Sequence, residues 1–440
     1  MVMKKNEKNL PNNTNTHPDP TLIIAGGRVI DPATRTDGIM DVSIAGDKII
    51  GVAPDQFRSS QTKVINANGC LVTPGLIDLH THVYRGFGGW TFGAAIDPDE
   101  VGVRSAVTTV VDCSTFPNTF TGLRQDEISN ATTRILSFMK LSDTWWDTFL
   151  RLDLWRGSDT ELQRLLEPEK VGRFAMDNRD IIKGIKVLAI GPASGSAGIK
   201  ALAMGKEAAN VAGVPLVSHI SNPVFKQTES GLKTLTGEVL DLLEGGDVLI
   251  HCFTGLEGGL VQPDGSVLPQ LEPALKRGVL LDVAHGAYMF SFDTAKRLLE
   301  DGIVPNTIST DIHMDNRKTM VFDLPTTLSK FLALGLGLGE AIATATINPA
   351  KALGMENVIG SLRPGMDADV SILKEVKGKW LFVDSLGKTV RSDTTLTPFG
   401  AVRMGKYIES DPSTFLLSVD TSENGPVPIW KLRSPRTGRN

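Results

Sequence analysis

The chain has 440 residues, 41% of them hydrophobic and 22% charged, with a net charge of -5, the make-up of an ordinary globular protein. No excess of Lys or Arg points to nucleic acid or to an anionic membrane surface. Its three cysteines, Cys70, Cys113 and Cys252, are an odd number without paired spacing, which argues against a disulfide framework and fits a reducing compartment.

Residues 1–20 are polar and repeat Asn and Pro without an apolar core, so they read as a disordered lead and not a signal peptide. Residues 21–72 hold short β-rich runs, Leu22–Ile24, Val29-Ile30, Val42–Ile44, Lys48–Ile50, Val64-Ile65 and Leu71-Val72, separated by Gly, Asp and Pro. They predict a small β-module.

From Leu76 short apolar runs recur, each followed by helical sequence: Leu76–His80, Val107–Cys113, Ile135–Leu141, Gly184–Ile190, Val214–His219, Asp247–Cys252, Gly278–His285 and Thr307–Asp311. Helical candidates between them include Ala201–Ala212, Leu235–Leu243 and Asp293–Glu300, and Thr326–Leu334 and Glu340–Ala345 follow. Eight strand-then-helix units are the pattern of a (β/α)8 TIM barrel, over residues 73–355. The apolar stretch Phe331–Ile347 is broken by Gly335, Gly337 and Gly339, which suits two short helices and no membrane span. After Pro349 the β-texture returns, at Asp369–Leu373, Trp380–Val383, Thr389-Val390 and Val402–Ile408. Residues 356–410 are expected to join 21–72 in one composite β-sandwich, leaving 411–440 as a tail or an arm to a neighbouring subunit. The fold class is thus α/β, and the expected location is the cytoplasm.

Catalytic groups in such barrels sit at the carboxyl ends of the strands. The first run ends in His80-Thr81-His82, the fifth in His219, the sixth in His251, the seventh in His285 and the eighth in Asp311. Of seven histidines, five occupy strand ends, His313 lies just past another, and only His17 is elsewhere. Two imidazoles spaced i, i+2 share one face of a strand, and neutral imidazole is the commonest transition-metal ligand. Four imidazoles and a carboxylate over-supply a single catalytic zinc, which keeps three protein ligands and an open position. They suit two metals about 3.5–4 Å apart. Two such dications need a bridging anion, and Lys186, inside an apolar strand, becomes one if CO2 converts its amine to a carbamate. Lys183 is the competitor, on the opposite face. Asp78 and Asp112 are candidates for orienting a ligand histidine. Cys113 and Cys252 read as small packing residues, and Trp90, Trp145 and Trp146 either wall an aromatic pocket or pack long loops.

The segments PGLIDLHTH, GIKV, PLVSHI, DVLIHCFTG, TISTDIH and SLRPGMDADV resemble the amidohydrolase superfamily in its dihydroorotase-like binuclear branch. TTVVDCST, INPAKALG and DLPTTLSKFLALG are similar to a deacetylase subgroup of that branch. The resemblance covers residues 21–410. It implies His80, His82 and Asp311 on a more buried metal, His219 and His251 on a more exposed one, and a carboxylated Lys186 bridging them. It places His285 near the substrate. One position departs: the subgroup often has an arginine two residues after the strand-four lysine, and here Leu188 stands there. Tyr84 and Arg85, directly after His80-Thr81-His82, are the candidates to contact substrate instead.

The implied activity is hydrolysis of an amide or ester of a small acid. Two divalent metals, zinc being the expected ion, would hold a bridging hydroxide, and Asp311 would shuttle its proton to the leaving group. The alternatives are a cyclic-amide hydrolase of the dihydroorotase or hydantoinase kind, a deaminase with one metal, and a non-catalytic scaffold. The partner expected is a small-molecule substrate, with neither nucleic acid nor membrane, in a homo-oligomer.

Overall fold

The structure is a computed structural model, and it describes residues 18–86, 95–141, 158–188, 195–221 and 229–410. His17, Trp90, Trp145, Trp146, part of the 191–198 loop and the tail from 411 lie outside the described residues.

Two sheets organise the described chain. The first has eight strands: β1 (Leu22–Asp31), β2 (Thr36–Ala45), β3 (Lys48–Ala53), β4 (Lys63–Asn66), β5 (Leu71–Pro74), β13 (Val370–Val383), β14 (Thr389–Arg403) and β15 (Lys406–Glu409). Their order is β15-β14-β13-β5-β1-β2-β3, with β4 beside β1. The join between chain ends is the antiparallel β5–β13 ladder, in which Val72 faces Ile372. Alternating apolar residues from both ends then close one core, Leu22, Ile24, Val42 and Ile44 against Leu362, Val370, Ile372 and Val402. The strands form one hydrogen-bonded path, a separate and mostly-β module that joins the two ends of the described chain. A single long β1 replaces the two short runs read there because Gly26 (φ +73°) and Gly27 carry a register shift within the strand.

The second sheet is wholly parallel: β6 (Leu76–Thr81), β7 (Val107–Asp112), β8 (Arg134–Lys140), β9 (Ile182–Leu188), β10 (Leu216–His219), β11 (Val248–Ile250) and β12 (Leu280–Asp282), in sequential order. The near-continuous apolar character of these strands reflects burial on both faces. Ile77, Leu79, Val111, Leu136, Phe138, Val217, Val248 and Ile250 pack as one cluster, while Ile185, Val187, Leu216 and Leu249 join the helix-facing core. The helices Gly195–Ala212, Glu229–Leu242 and Phe292–Glu300 follow β9, β10 and β12.

The eighth predicted run, Thr307–Asp311, forms no strand; it makes single parallel bridges at either edge, Asp282–Thr307 and Thr81–Ile312. What the structure shows is therefore a curled parallel sheet whose two edges meet the same segment. No helix among the described residues is long and apolar enough to cross a membrane.

Candidate active site

The carboxyl ends of β6, β9, β10 and β11 and the 307–312 segment bring His80, His82, Lys186, His219, His251 and Asp311 together. At β6 the register slips between Asp78 and Thr81, so three steps on β6 match two on β7, from Val110 to Asp112. Such a bulge re-aims side chains, and it sits directly beneath the His80-Thr81-His82 pair. The rings of His80 and His82 lie 5.4 Å apart, His80 and His251 5.4 Å, and His219 and His251 4.1 Å.

Asp311 is the hub. Its Oδ1 lies 2.9 Å from His82 Nε2 and 3.3 Å from His80 Nε2. Lys186 Nζ is 2.8 Å from that same His80 nitrogen. Lys186 is buried, and its strand partner in register is Lys140, also buried. Two lysines thus lie side by side, buried, beside the imidazoles. Burial, then the Lys186 charge, pushes the Lys140 ammonium well below its usual pKa.

Burial is also the main force on the histidines. It drives His80 and His219 well below the usual imidazole value, and His82 and His251 to about 4. Burial alone would raise the Asp311 carboxyl. The His82 hydrogen bond and the surrounding imidazoles outweigh it and hold Asp311 at about 2. Neutral imidazoles around an ionised carboxylate are the protonation states that a cation needs in its ligands.

A second observation fits the same occupant. His80 Nδ1, His219 Nε2 and His251 Nε2 are buried without a hydrogen-bond partner. Buried polar atoms are almost always satisfied, so the orphaned Nε2 atoms of His219 and His251 are donor positions that suit a cation, whereas on His80 it is Nε2 that faces Asp311. His80, His251 and Asp311 alone offer one ligand atom each within 4.8 Å of one another.

Surrounding groups fix the cluster. Ser114 Oγ meets His82 Nδ1 at 2.8 Å, and the Ala284 carbonyl meets His251 Nδ1 at 2.7 Å. The two aspartates expected to orient a histidine accept from main-chain amides and threonine hydroxyls and contact no imidazole ring by hydrogen bond among the described residues. Asp112 accepts from the amides of Val83, Tyr84 and Ser114. Asp78 accepts from the Thr310 hydroxyl at 2.6 Å and the His80 amide at 3.3 Å, tying β6 to the 307–312 segment. Positive φ values at His251 (+65°), Ala284 (+41°) and Asp311 (+49°) place left-handed residues just past β11, just past β12 and in the 307–312 segment. Such conformations cluster at functional sites. Burial raises the Cys113 thiol to about 12, which leaves it a neutral packing group.

The three residues read as substrate contacts each have partners within the protein. His285 is fully buried, with Nδ1 at 2.9 Å from the Gly286 carbonyl and Nε2 at 2.6 Å from Lys330 Nζ. Arg85 pairs with Glu127 at 2.9 Å and Asp97 at 3.1 Å. The Tyr84 ring is buried over Gly86 and Gly122, where an added Cβ would fall 2.3 Å from its hydroxyl. Each already satisfies its polar group or packs inside the protein.

Lys140, Ser114 and Asn316 escaped the sequence reading. Lys140 carried the same signal as Lys186, a lysine closing an apolar strand. Ser and Asn so close to strand ends are too common to stand out.

Comparison with known proteins agrees with this geometry. The sequence profile described as "Amidohydrolase family" matches residues 290–399. A deacetylase of Agrobacterium fabrum is 32% identical over 82% of this chain and 85% of its own. A crystal structure of a dihydroorotase superposes with a TM-score of 0.74 at 27% identity, over 89% of this chain and 99% of that one. One of an adenine deaminase gives the same score and identity, over 89% and 100%.

Proposed function

The chain belongs to the amidohydrolase family, a family of metal-dependent hydrolases, and from that premise we propose that it is a deacylase, releasing an acyl group such as acetyl from the amide or ester of a small acid. The observation that carries this reading is the buried set of imidazoles with orphaned nitrogens around one ionised aspartate. The similarity to a deacetylase across most of both chains supports the acyl substrate.

His80, His82, His219, His251 and Asp311 would hold two divalent ions, zinc by their nitrogen-rich donor set, with Lys186 as a carbamate between them. The burial of Lys186 among neutral imidazoles supports the carbamate, since a buried ammonium without a counter-charge is costly. What a divalent metal supplies in such a site is polarisation of the scissile carbonyl and a water acidic enough to attack near neutral pH. The chain's own part is proton handling and exclusion of water. Asp311 accepts the proton of the attacking water and returns it to the leaving nitrogen or oxygen. Ser114 braces His82 through Nδ1, which leaves Nε2, beside Asp311, as the nitrogen that would hold the ion. The apolar cluster of Ile77, Leu79, Val217 and Ile250 closes the floor against solvent and strengthens each of these interactions.

The same reading closes the parallel sheet into a (β/α)8 barrel over residues 73–355, with the 307–312 segment as its eighth strand. The bridges at both edges support that closure. The β-module is then composed of residues 21–72 and 356–410.

A second reading, hydrolysis of a cyclic amide, is favoured by the likeness to the dihydroorotase structure. One assay separates the two: protein of measured metal content offered N-acetyl amino acids, O-acetyl hydroxy acids, dihydroorotate and hydantoins. Turnover confined to the acetyl compounds carries the deacylase. Turnover confined to the ring compounds installs the second reading. Growth in 13C-bicarbonate followed by carbonyl NMR tests the carbamate, whose resonance must vanish in Lys186→Met.

A further inference from the structure

At the opposite end of the parallel sheet, where β9, β10, β11 and β12 begin, lies a cleft of about 1010 Å³. That is at the upper end of the volumes of small-molecule sites, about 300–1,000 Å³. Its charged lining is Arg179, Lys183, Lys206 and Lys351 against Glu244 and Asp247. The cleft therefore carries an excess of positive charge in a protein whose net charge is -5.

The two acids are spoken for. Asp247 is buried and accepts from the Leu216 amide at 2.9 Å, the Glu244 amide at 2.9 Å and Lys206 Nζ at 2.7 Å. Glu244 pairs with the same lysine at 2.9 Å. Among the described residues Arg179, Lys183 and Lys351 have no carboxylate partner, and they come from three places: the turn before β9, β9 itself and the helix Ile347–Ala352. Lys183 does not extend into bulk water. It is half-buried, and its ammonium turns back onto the Arg179 carbonyl at 2.8 Å. Burial, with the Arg134 and Arg179 charges, holds its pKa below the usual value against the pull of Asp180. Asn210, Asn306 and Asn348 add amide groups to the same wall.

We propose that this cleft binds a small organic anion through its phosphate or carboxylate groups. Arg and Lys side chains that line one cleft without a carboxylate in ion-pair contact, with amide groups beside them, are the groups that recognise such ligands. The site is separate from the metal centre. At about 3.3 Å per residue, Lys183 stands about 10 Å from Lys186 along β9, and Asp247 about 13 Å from His251 along β11. The strands that floor the cleft are the ones that end in the catalytic cluster, so an anion held here touches the starts of three ligand-bearing strands.

Isothermal titration calorimetry on the full metal-loaded chain, at constant ionic strength, tests this with two probes, a hexose bisphosphate and glutarate. Saturable binding of at least one is expected, weakened tenfold or more in the Arg179→Gln/Lys183→Met/Lys351→Met variant while turnover at the metal centre is retained. Lys351→Glu alone, in an exposed last turn, is expected to weaken binding several-fold and serves if the triple variant misfolds. The probe that binds identifies the anion as phosphate or carboxylate. No heat beyond a sodium chloride control with either probe overturns the proposal, as does equal binding by wild type and the cleft variants.

Discussion

Asn316 donates its side-chain amide to the main-chain carbonyl of Asp311 at 2.7 Å, while its own Oδ1 accepts from the His313 amide at 3.0 Å. Asp311 sits at φ +49°, a conformation that costs a non-glycine residue about 1–3 kcal/mol. Asn316 offsets that cost by bracketing the turn from both sides. Asn316→Ala is expected to lower kcat about tenfold or more, the equivalent of about 1.4 kcal/mol in the barrier. KM should stay within about twofold, because the carboxylate is misaimed and the rest of the site is unchanged. Steady-state kinetics at matched metal content checks it, and a change in KM alone would refute it.

Ser114 is the partner of His82 on the ring edge away from Asp311. Removing such an orienting group typically costs 10–100-fold in metal affinity. Ser114→Ala should therefore lose metal to a competing chelator at a concentration roughly 10-fold lower or less than wild type. Equal retention would show that Asp311 alone fixes the ring.

Gly286 adjoins His285 at φ +59°, and a Cβ there would fall 2.5 Å from Asp311 Oδ2. Gly286→Ala must push the carboxylate aside. A displacement of about 1 Å at reacting groups can cost about 100-fold in rate, so a loss of that order is expected with the far-ultraviolet circular dichroism unchanged. Retention of full turnover would mean that Asp311 acts from another rotamer.

Stability should carry a pH signature from Asp282, whose oxygens accept from the hydroxyls of Thr307 at 2.6 Å and Ser309 at 2.5 Å. Burial raises its carboxyl from 3.8 to about 6, and those hydrogen bonds offset only part of the rise. Between about 4 and 6 the folded chain then binds more protons than the unfolded one. Stability falls as pH rises through that window. Asp311, held at about 2, acts in the opposite sense, and its contribution is lost as pH falls from 3.8 towards 2. Asp282→Asn should flatten the change in urea midpoint between pH 4.5 and 7. An unaltered slope would assign it to other buried carboxylates.

Much of this was readable in the chain before any coordinates. Apolar runs ending in His80, His219 and His251 marked both the strands and the site, because period and composition are local properties. The seventh run holds a shorter strand, β12, and the eighth makes single bridges at the two sheet edges. In the run Gly278–His285 the turn to left-handed φ at Ala284 ends the pairing early. The single eight-stranded sheet was hidden because its central ladder joins Val72 to Ile372, a contact no local pattern encodes. The ion pair of Arg85 was hidden for a related reason. Arg85 looked available beside the metal pair until Glu127, 42 residues away, claimed it.

The β-module's core is shared between strands about 350 residues apart, as Leu22 and Val370 show. During synthesis at about 5–20 residues per second, β1 and β2 leave the ribosome on the order of 20–70 s before β13 and β14 exist to cover them. Their apolar faces and the unpaired side of β5 must be shielded through that interval, by chaperone or by transient packing on the growing parallel sheet. A nascent chain released early, before residue 370, would keep its catalytic strands and lose the partner of its first hundred residues, which makes premature termination an aggregation hazard as well as a loss of enzyme.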